Sequence, residues 1–149
     1  MSNKNNNETK YDCLKLENQI CFPLYAASNL IVKKYKPLLD KLGLTYTQYI
    51  TMMVLWEQKE INVKKLGEHL FLDSGTLTPL LKKLEIKGFI KRERSKQDER
   101  NLIVSITEEG EKLKERAISI PNEMCKNISL SKEETTNLYN VLHKIIKEG

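Results

Sequence analysis

The chain has no apolar run able to cross a bilayer: its longest, near Met52 to Trp56, falls far short of the roughly 20 residues a spanning helix needs. Its opening residues, MSNKNNNETK, hold no apolar segment of the kind a secretory leader carries. A cytoplasmic protein without membrane contact is expected. Histidine and cysteine are scarce, at two and three residues. Cys13, Cys21 and Cys125 are odd in number and widely spaced, which excludes a disulfide framework and a CxxC metal knuckle. His69 and His143 stand in no ligand spacing, so no metal site is expected, and no cofactor either. Internal repeats are also missing. What remains is a chain of 149 residues, of a length to build one domain with a sizeable core. Residues 1–10 are Asn-rich and too polar to offset the entropy of ordering, so they read as a flexible tail before a single domain over 11–149.

Hydrophobic spacing then organises the chain. From Leu14 to Leu42 apolar residues recur at helical period, with Leu24, Ala27, Leu30 or Ile31, and Leu38 on related faces, until Gly43 supplies a stop. Pro23 is comfortable only in a first helical turn and otherwise kinks the helix, which puts Cys21 near a helix start or a bend. Thr47 to Gln58 reads as a second helix with Tyr49, Met53 and Trp56 on its apolar side. Val63, Leu66, Gly67 and Leu70 mark a short third. After a tight turn at Phe71, Leu72 and Asp73, either Asp73 or Ser74 can cap a fourth helix whose buried stripe is Leu77, Leu80, Leu81 and Leu84. Its outer face carries Thr76, Pro79, Lys82 and Lys83, and Gly88 ends it. Pro79 removes a backbone donor several positions in, which predicts an irregular first turn. Phe89–Arg94 and Leu102–Ile106 read as strands around a tip at Ser95–Asn101. Thr107 caps a helix that Leu113, Ala117 and Ile120 carry towards Pro121, and Ser131 caps a last helix with Leu138, Val141, Leu142, Ile145 and Ile146 on one broad stripe.

An amphipathic helix followed at once by a short basic hairpin is the order of a winged helix-turn-helix, here over about residues 47–107, in a mainly α fold with a small β wing. Between residues 74 and 100 there are eight basic side chains against four acidic ones, a net of +4 where the whole chain carries +5. Charge alone fits a solvated face equally well. Placed on this supersecondary unit, it is the electrostatic footprint of nucleic-acid binding, with double-stranded DNA as the expected partner. In such a unit the N-terminal residues of the second helix meet base edges and phosphates. Ser74, Thr76 and Thr78 supply hydroxyls at the helix's positive end, and Pro79, Lys82 and Lys83 continue the face. On the wing, Arg94 adds charge, and Arg100 can enter a minor groove with Asp98 orienting its guanidinium.

From about residue 14 to 110 the chain resembles the MarR family of winged helix-turn-helix repressors, whose wing pattern D-x-R-x-x-x-V-x-[LI]-T stands here as Asp98, Arg100, Val104, Ile106 and Thr107. More narrowly, LENQICF, YKPLLDKLGLTYTQY and LFLDSGTLTPLLKKLE are similar to the organic hydroperoxide resistance regulators. The resemblance implies a homodimer joined through N- and C-terminal helices, about residues 14–42 and 108–149, and hence a pseudo-palindromic operator. It implies a repressor that releases DNA when an organic hydroperoxide oxidises a sensing thiol, with a thiol peroxidase as the regulated product.

That thiol is Cys21 by the resemblance, and a helix start at Pro23 supports it modestly, since helix N-termini lower thiol pKa. The resemblance makes Tyr35 and Tyr46 the tyrosines that hydrogen-bond the thiol. On one continuous helix Tyr35 lies about 21 Å beyond Cys21, so contact needs a fold-back or a second subunit, and the resemblance implies the latter. Tyr25, at i+4 from Cys21, is a candidate for the same pocket and equally a packing residue. Oxidised Cys21 needs a resolving thiol: a small cellular thiol in one branch of the family, a cysteine near the partner's C-terminus in the other. Cys125 sits in the second branch's region. Cys13, about 12 Å away if helical, is a poorer candidate. Two other readings stay open: a repressor of the same fold relieved by small phenolic ligands, and a thiol-dependent peroxidase.

Overall fold

The computed structural model describes residues 10–149; the expected tail lies almost entirely outside them. The order of elements is α1 (Cys21–Asp40), α2 (Tyr46–Gln58), β1 (Glu60–Asn62), α3 (Val63–Leu70), α4 (Ser74–Ile86), β2 (Ile90–Arg94), β3 (Leu102–Ile106), α5 (Glu108–Ala117), α6 (Ile120–Asn127) and α7 (Lys132–Glu148). The strands make one antiparallel sheet in the order β1-β3-β2.

The helix expected from Leu14 begins only at Cys21. Upstream, two 3-10 turns at Asp12–Leu14 and Leu16–Asn18 take its place. Pro23 falls in the first turn of α1, where its missing donor costs nothing. The carbonyls that a longer helix would need are taken by side chains instead: Asn18 Nδ2 donates to Asp12 O at 2.7 Å, and Gln19 Nε2 to Lys15 O at 3.3 Å. At its other end α1 closes as anticipated at Gly43, whose φ of +67° lets the Leu44 N–H return to Leu39 O at 3.1 Å.

α2 is started by a capping box in which Thr45 and Gln48 satisfy each other's backbone donors. Its buried side is Tyr49, Met52, Leu55 and Trp56, while Met53, expected to be inward, is 46% exposed. Helical geometry explains the correction: Tyr49, Met52 and Trp56 already define the core stripe at i, i+3 and i+7. β1 was not anticipated, since three residues are too short to show alternation. It pairs through Ile61 opposite Val104 and makes β3 the central strand.

α4 buries all four stripe leucines, Leu77, Leu80, Leu81 and Leu84, and is capped by Asp73, whose carboxylate accepts from Thr76 N at 2.8 Å. Pro79 does not disrupt it: the helix runs unbroken from Ser74 to Ile86. α5 and α6, expected as one helix, separate at Ile118 and Ser119, with Pro121 in the opening turn of the second. Leu113, Ala117, Ile120 and Met124 still share the core with Leu39, Met52 and Leu66. α7, capped by Ser131 and Glu134, buries nothing. Its stripe of Leu138, Val141, Ile145 and Ile146 lies open within the single chain. Among the described residues no helix is long and apolar enough to cross a membrane.

Candidate nucleic-acid interface and thiol site

With the leucines of α4 turned inward, the outward residues are fixed by helical period: Ser74, Thr76, Thr78, Pro79, Lys82 and Lys83 are all exposed. The N-terminal amide of Thr76 is already held by Asp73. The positive helix end therefore carries its own carboxylate, and the lysines one to two turns on supply the net charge. Between α3, the turn and the wing lies an open groove whose lining includes Phe71, Ser74, Leu77 and Arg100.

The wing is shaped differently from expectation. Asp98 does not orient the Arg100 guanidinium. Its carboxylate accepts from Arg100 N at 3.0 Å and from Asn101 Nδ2 at 3.1 Å, and its carbonyl from Asn101 N at 2.9 Å. Asp98 builds the turn, as short acidic side chains do, and Arg100 is left exposed at the tip. Arg94 is also committed internally, donating through Nη1 to Glu99 O at 2.7 Å across the hairpin.

A further clamp was not read from the sequence. Glu85, at the end of α4, accepts from the Arg92 backbone N–H at 3.0 Å, from Arg92 Nε at 3.1 Å and from Arg92 Nη2 at 2.9 Å. This bidentate pair fastens the wing to the helix. The Arg92 side-chain hydrogen bonds hold the Glu85 carboxyl below its ordinary pKa. The residues are seven apart across a glycine turn, and only the folded hairpin brings them together.

The candidate thiol residues fall into two groups. Cys21 is the first residue of α1, exposed, at a helix end with no side-chain cap. Tyr25, one turn on, is 68% exposed. Tyr35 and Tyr46 meet far along the same helix, with ring centroids 4.9 Å apart. Tyr49, which the sequence reading assigned to the core, joins them at 5.9 Å from Tyr35, and Trp56 extends the stack at 6.2 Å from Tyr49. Burial pushes the Tyr35 hydroxyl pKa up, and Tyr46, Tyr49 and Cys125 add to the shift in that order. Cys125 sits within α6 and not in the linker before the last helix, and Lys34 Nζ draws that helix end onto α1 by donating to Asn127 O at 2.6 Å. Within one chain the fold brings Tyr35 and Tyr46 together, packs the helix of Cys125 on the same stretch of α1, and leaves Cys21 and Tyr25 at the other end of that helix.

Comparison with known proteins places this architecture. The family model for the transcriptional regulators SarA/Rot matches residues 33–117. The chain belongs to that family. It has the MarR-type winged-helix fold, and it is a transcriptional regulator and not an enzyme. The organic hydroperoxide resistance transcriptional regulator of Bacillus subtilis is 49% identical over 140 residues, covering 94% of this chain and 95% of its own. The HTH-type transcriptional regulator SarZ of Staphylococcus haemolyticus is 46% identical over 134 residues, 90% of this chain and 91% of its own. Among solved structures, reduced AbfR bound to DNA superposes with a TM-score of 0.77 at 35% identity, over 93% of this chain and 97% of that one. AbfR, from Staphylococcus epidermidis, has also been solved overoxidised on DNA and with a disulfide formed.

Proposed function

We propose that this regulator is a cytoplasmic homodimeric repressor that holds a pseudo-palindromic operator while Cys21 is reduced and lets go when an organic hydroperoxide oxidises it. α4 enters the major groove with Ser74, Thr76, Thr78 and Pro79 leading, Lys82 and Lys83 meet phosphates, and Arg100 takes the wing to the neighbouring minor groove. Arg94 and Asp98 serve by holding the wing in shape.

The observation that carries the redox reading is the Lys34–Asn127 hydrogen bond, which ties the helix of Cys125 to the stretch of α1 that holds Tyr35. Cys21 and Tyr35 are separated along one helix by about 21 Å, so the tyrosines of one subunit serve the Cys21 of the other. Cys125, on the helix tied there, then stands where that foreign thiol arrives. The Cys21 thiolate attacks the terminal peroxide oxygen; the O–O bond breaks, the alkoxide leaves and takes a proton as the alcohol, and Cys21 becomes a sulfenic acid. The Cys125 thiol attacks the sulfenic sulfur, an S–S bond forms, and the hydroxyl departs with a proton as water. A low-molecular-weight thiol condenses the same way where Cys125 does not reach. AbfR lends support: it is seen on DNA when reduced and when overoxidised, and it also forms a disulfide; in this reading cross-linking, and not overoxidation, is the releasing event.

Stoichiometric cumene hydroperoxide followed by non-reducing electrophoresis and operator titration tests this. A cross-linked dimer band should form together with loss of DNA binding. Both should disappear in Cys21→Ser and in Cys125→Ser, with reduced-state affinity preserved. A wild-type band that stays monomeric while the operator is released removes Cys125 as the resolving thiol and transfers the role to an external one. Release that persists in Cys21→Ser sinks the whole scheme.

A further inference from the structure

Both helices that carry the sensor tyrosines end on one side chain of the DNA-reading helix. Lys87 is the C-terminal capping residue of α4. Its ammonium donates to the carbonyl of Gly43, in the turn that closes α1, and to Gln48 Oε1 at 3.1 Å. Gln48 is only 2% exposed, and the same Oε1 accepts from Thr45 N at 3.1 Å to complete the capping box that starts α2. Tyr46 is the first residue of that helix, held inside the box between Thr45 and Gln48. Tyr35 lies in α1, on the other arm. Two residues before Lys87, Glu85 fastens the wing through Arg92.

The last turn of α4 therefore has two separate fastenings: Glu85 to the wing, and Lys87 to the sensor elements. A side chain with one ammonium and two acceptors on different elements holds both only while their spacing is kept. Gly43 O lies just past the negative end of α1, where a cation is favoured, and accepts from the Lys87 ammonium. Displacing the tyrosines moves the α1 terminus and the Thr45/Gln48 box relative to each other, and the ammonium has to follow one or lose one.

We propose that Lys87 is the positioning residue that couples the thiol site to the reading helix. This rests on the redox function proposed above. Glu85, by contrast, sets how well the helix and wing grip DNA in either state.

Paired variants separate the two roles. Lys87→Met keeps the aliphatic stem and removes the ammonium; Glu85→Gln breaks the wing clamp. Operator dissociation constants are measured at fixed salt for reduced and peroxide-treated protein, with mass spectrometry confirming that Cys21 is fully converted to its disulfide in each peroxide-treated sample. In Lys87→Met the reduced affinity should stay within about twofold of wild type, while the oxidised-to-reduced ratio falls about fivefold or more, in the range seen when coupling residues are removed. Lys87→Arg should restore the ratio. Glu85→Gln should weaken both states by a similar factor and leave the ratio unchanged. If Lys87→Met releases DNA on oxidation by the same ratio as wild type, or loses affinity equally in both states as Glu85→Gln does, Lys87 is a structural tie and the coupling role is wrong. If wild type stays on the operator with Cys21 fully in its disulfide, it is the redox function that fails, and the coupling with it.

Discussion

A tyrosine hydroxyl can donate a hydrogen bond to a thiolate only while it keeps its proton. Tyr35 and Tyr49 are both held above the ordinary value of 10.0, first by burial and then by neighbouring phenols, so near neutral pH both are uncharged donors. A raised folded-state pKa means the fold binds these protons more tightly than the unfolded chain does. The stability linked to them is present in full below the unfolded value and is lost as pH rises through the folded one. An absorbance titration of tyrosinate in the native protein should therefore show a component lagging behind the ordinary phenols among the six tyrosines. Tyr35→Phe should remove part of that late component, and thermal stability should decline along the same alkaline limb. Six phenols ionising in one step near pH 10 would contradict it. At this scale the sequence was uneven: spacing showed that Cys21 and Tyr35 cannot meet along one continuous helix, but the packing of the Cys125 helix on the Tyr35 stretch of α1 joins distant segments and was out of its reach.

At the scale of elements, the closest approach in the fold is made by the start of α5. Thr107 donates through Oγ1 to Gly88 O at 2.6 Å and accepts from Gly110 N at 3.1 Å, and Trp56 Nε1 donates to Gly110 O at 2.8 Å. A Cβ on Gly110 would meet Phe89 O at 2.2 Å and Ile106 Cγ1 at 2.8 Å. Backbone on one side and a β-branched side chain on the other leave little room to give. Gly110→Ala should destabilise by about 2–3 kcal/mol, as overpacking typically does, lowering the melting midpoint by roughly 5–10 °C for a chain of this size. A calorimetric midpoint within 1 °C of wild type would show that the α5 entrance is slack. Nothing in the sequence flagged Gly110, because its constraint comes from the facing turn. The α4 stripe was legible since four leucines at helical period admit one inward face. The break between α5 and α6 was not, because Pro121 serves equally as the end of one helix and the opening turn of the next.

At the scale of the whole molecule, the open stripe on α7 and the exposed apolar residues before and within α1, among them Leu14, Ile20 and Leu24, are the surface that a second copy would cover in the proposed dimer. Under the proposed function, two-fold symmetry would give two thiol sites, each taking Cys21 from one subunit and the tyrosines with Cys125 from the other, and two reading heads at a fixed separation. Only a dimer that engages both half-sites at once can be released by a change in that separation. Salt dependence measures the engagement directly. Lys82 and Lys83 have no side-chain partner among the described residues, so their charge is free for phosphate. Each phosphate neutralised contributes about 0.9 to the slope of log K against log salt. Lys82→Ala should lower the slope of the reduced dimer by about two, one contact from each head, with little change in which operator bases are preferred. A loss of only about one would mean that a single head grips the operator. Release by respacing would then have nothing to act on, and the switch would have to work by altering α4 within one subunit.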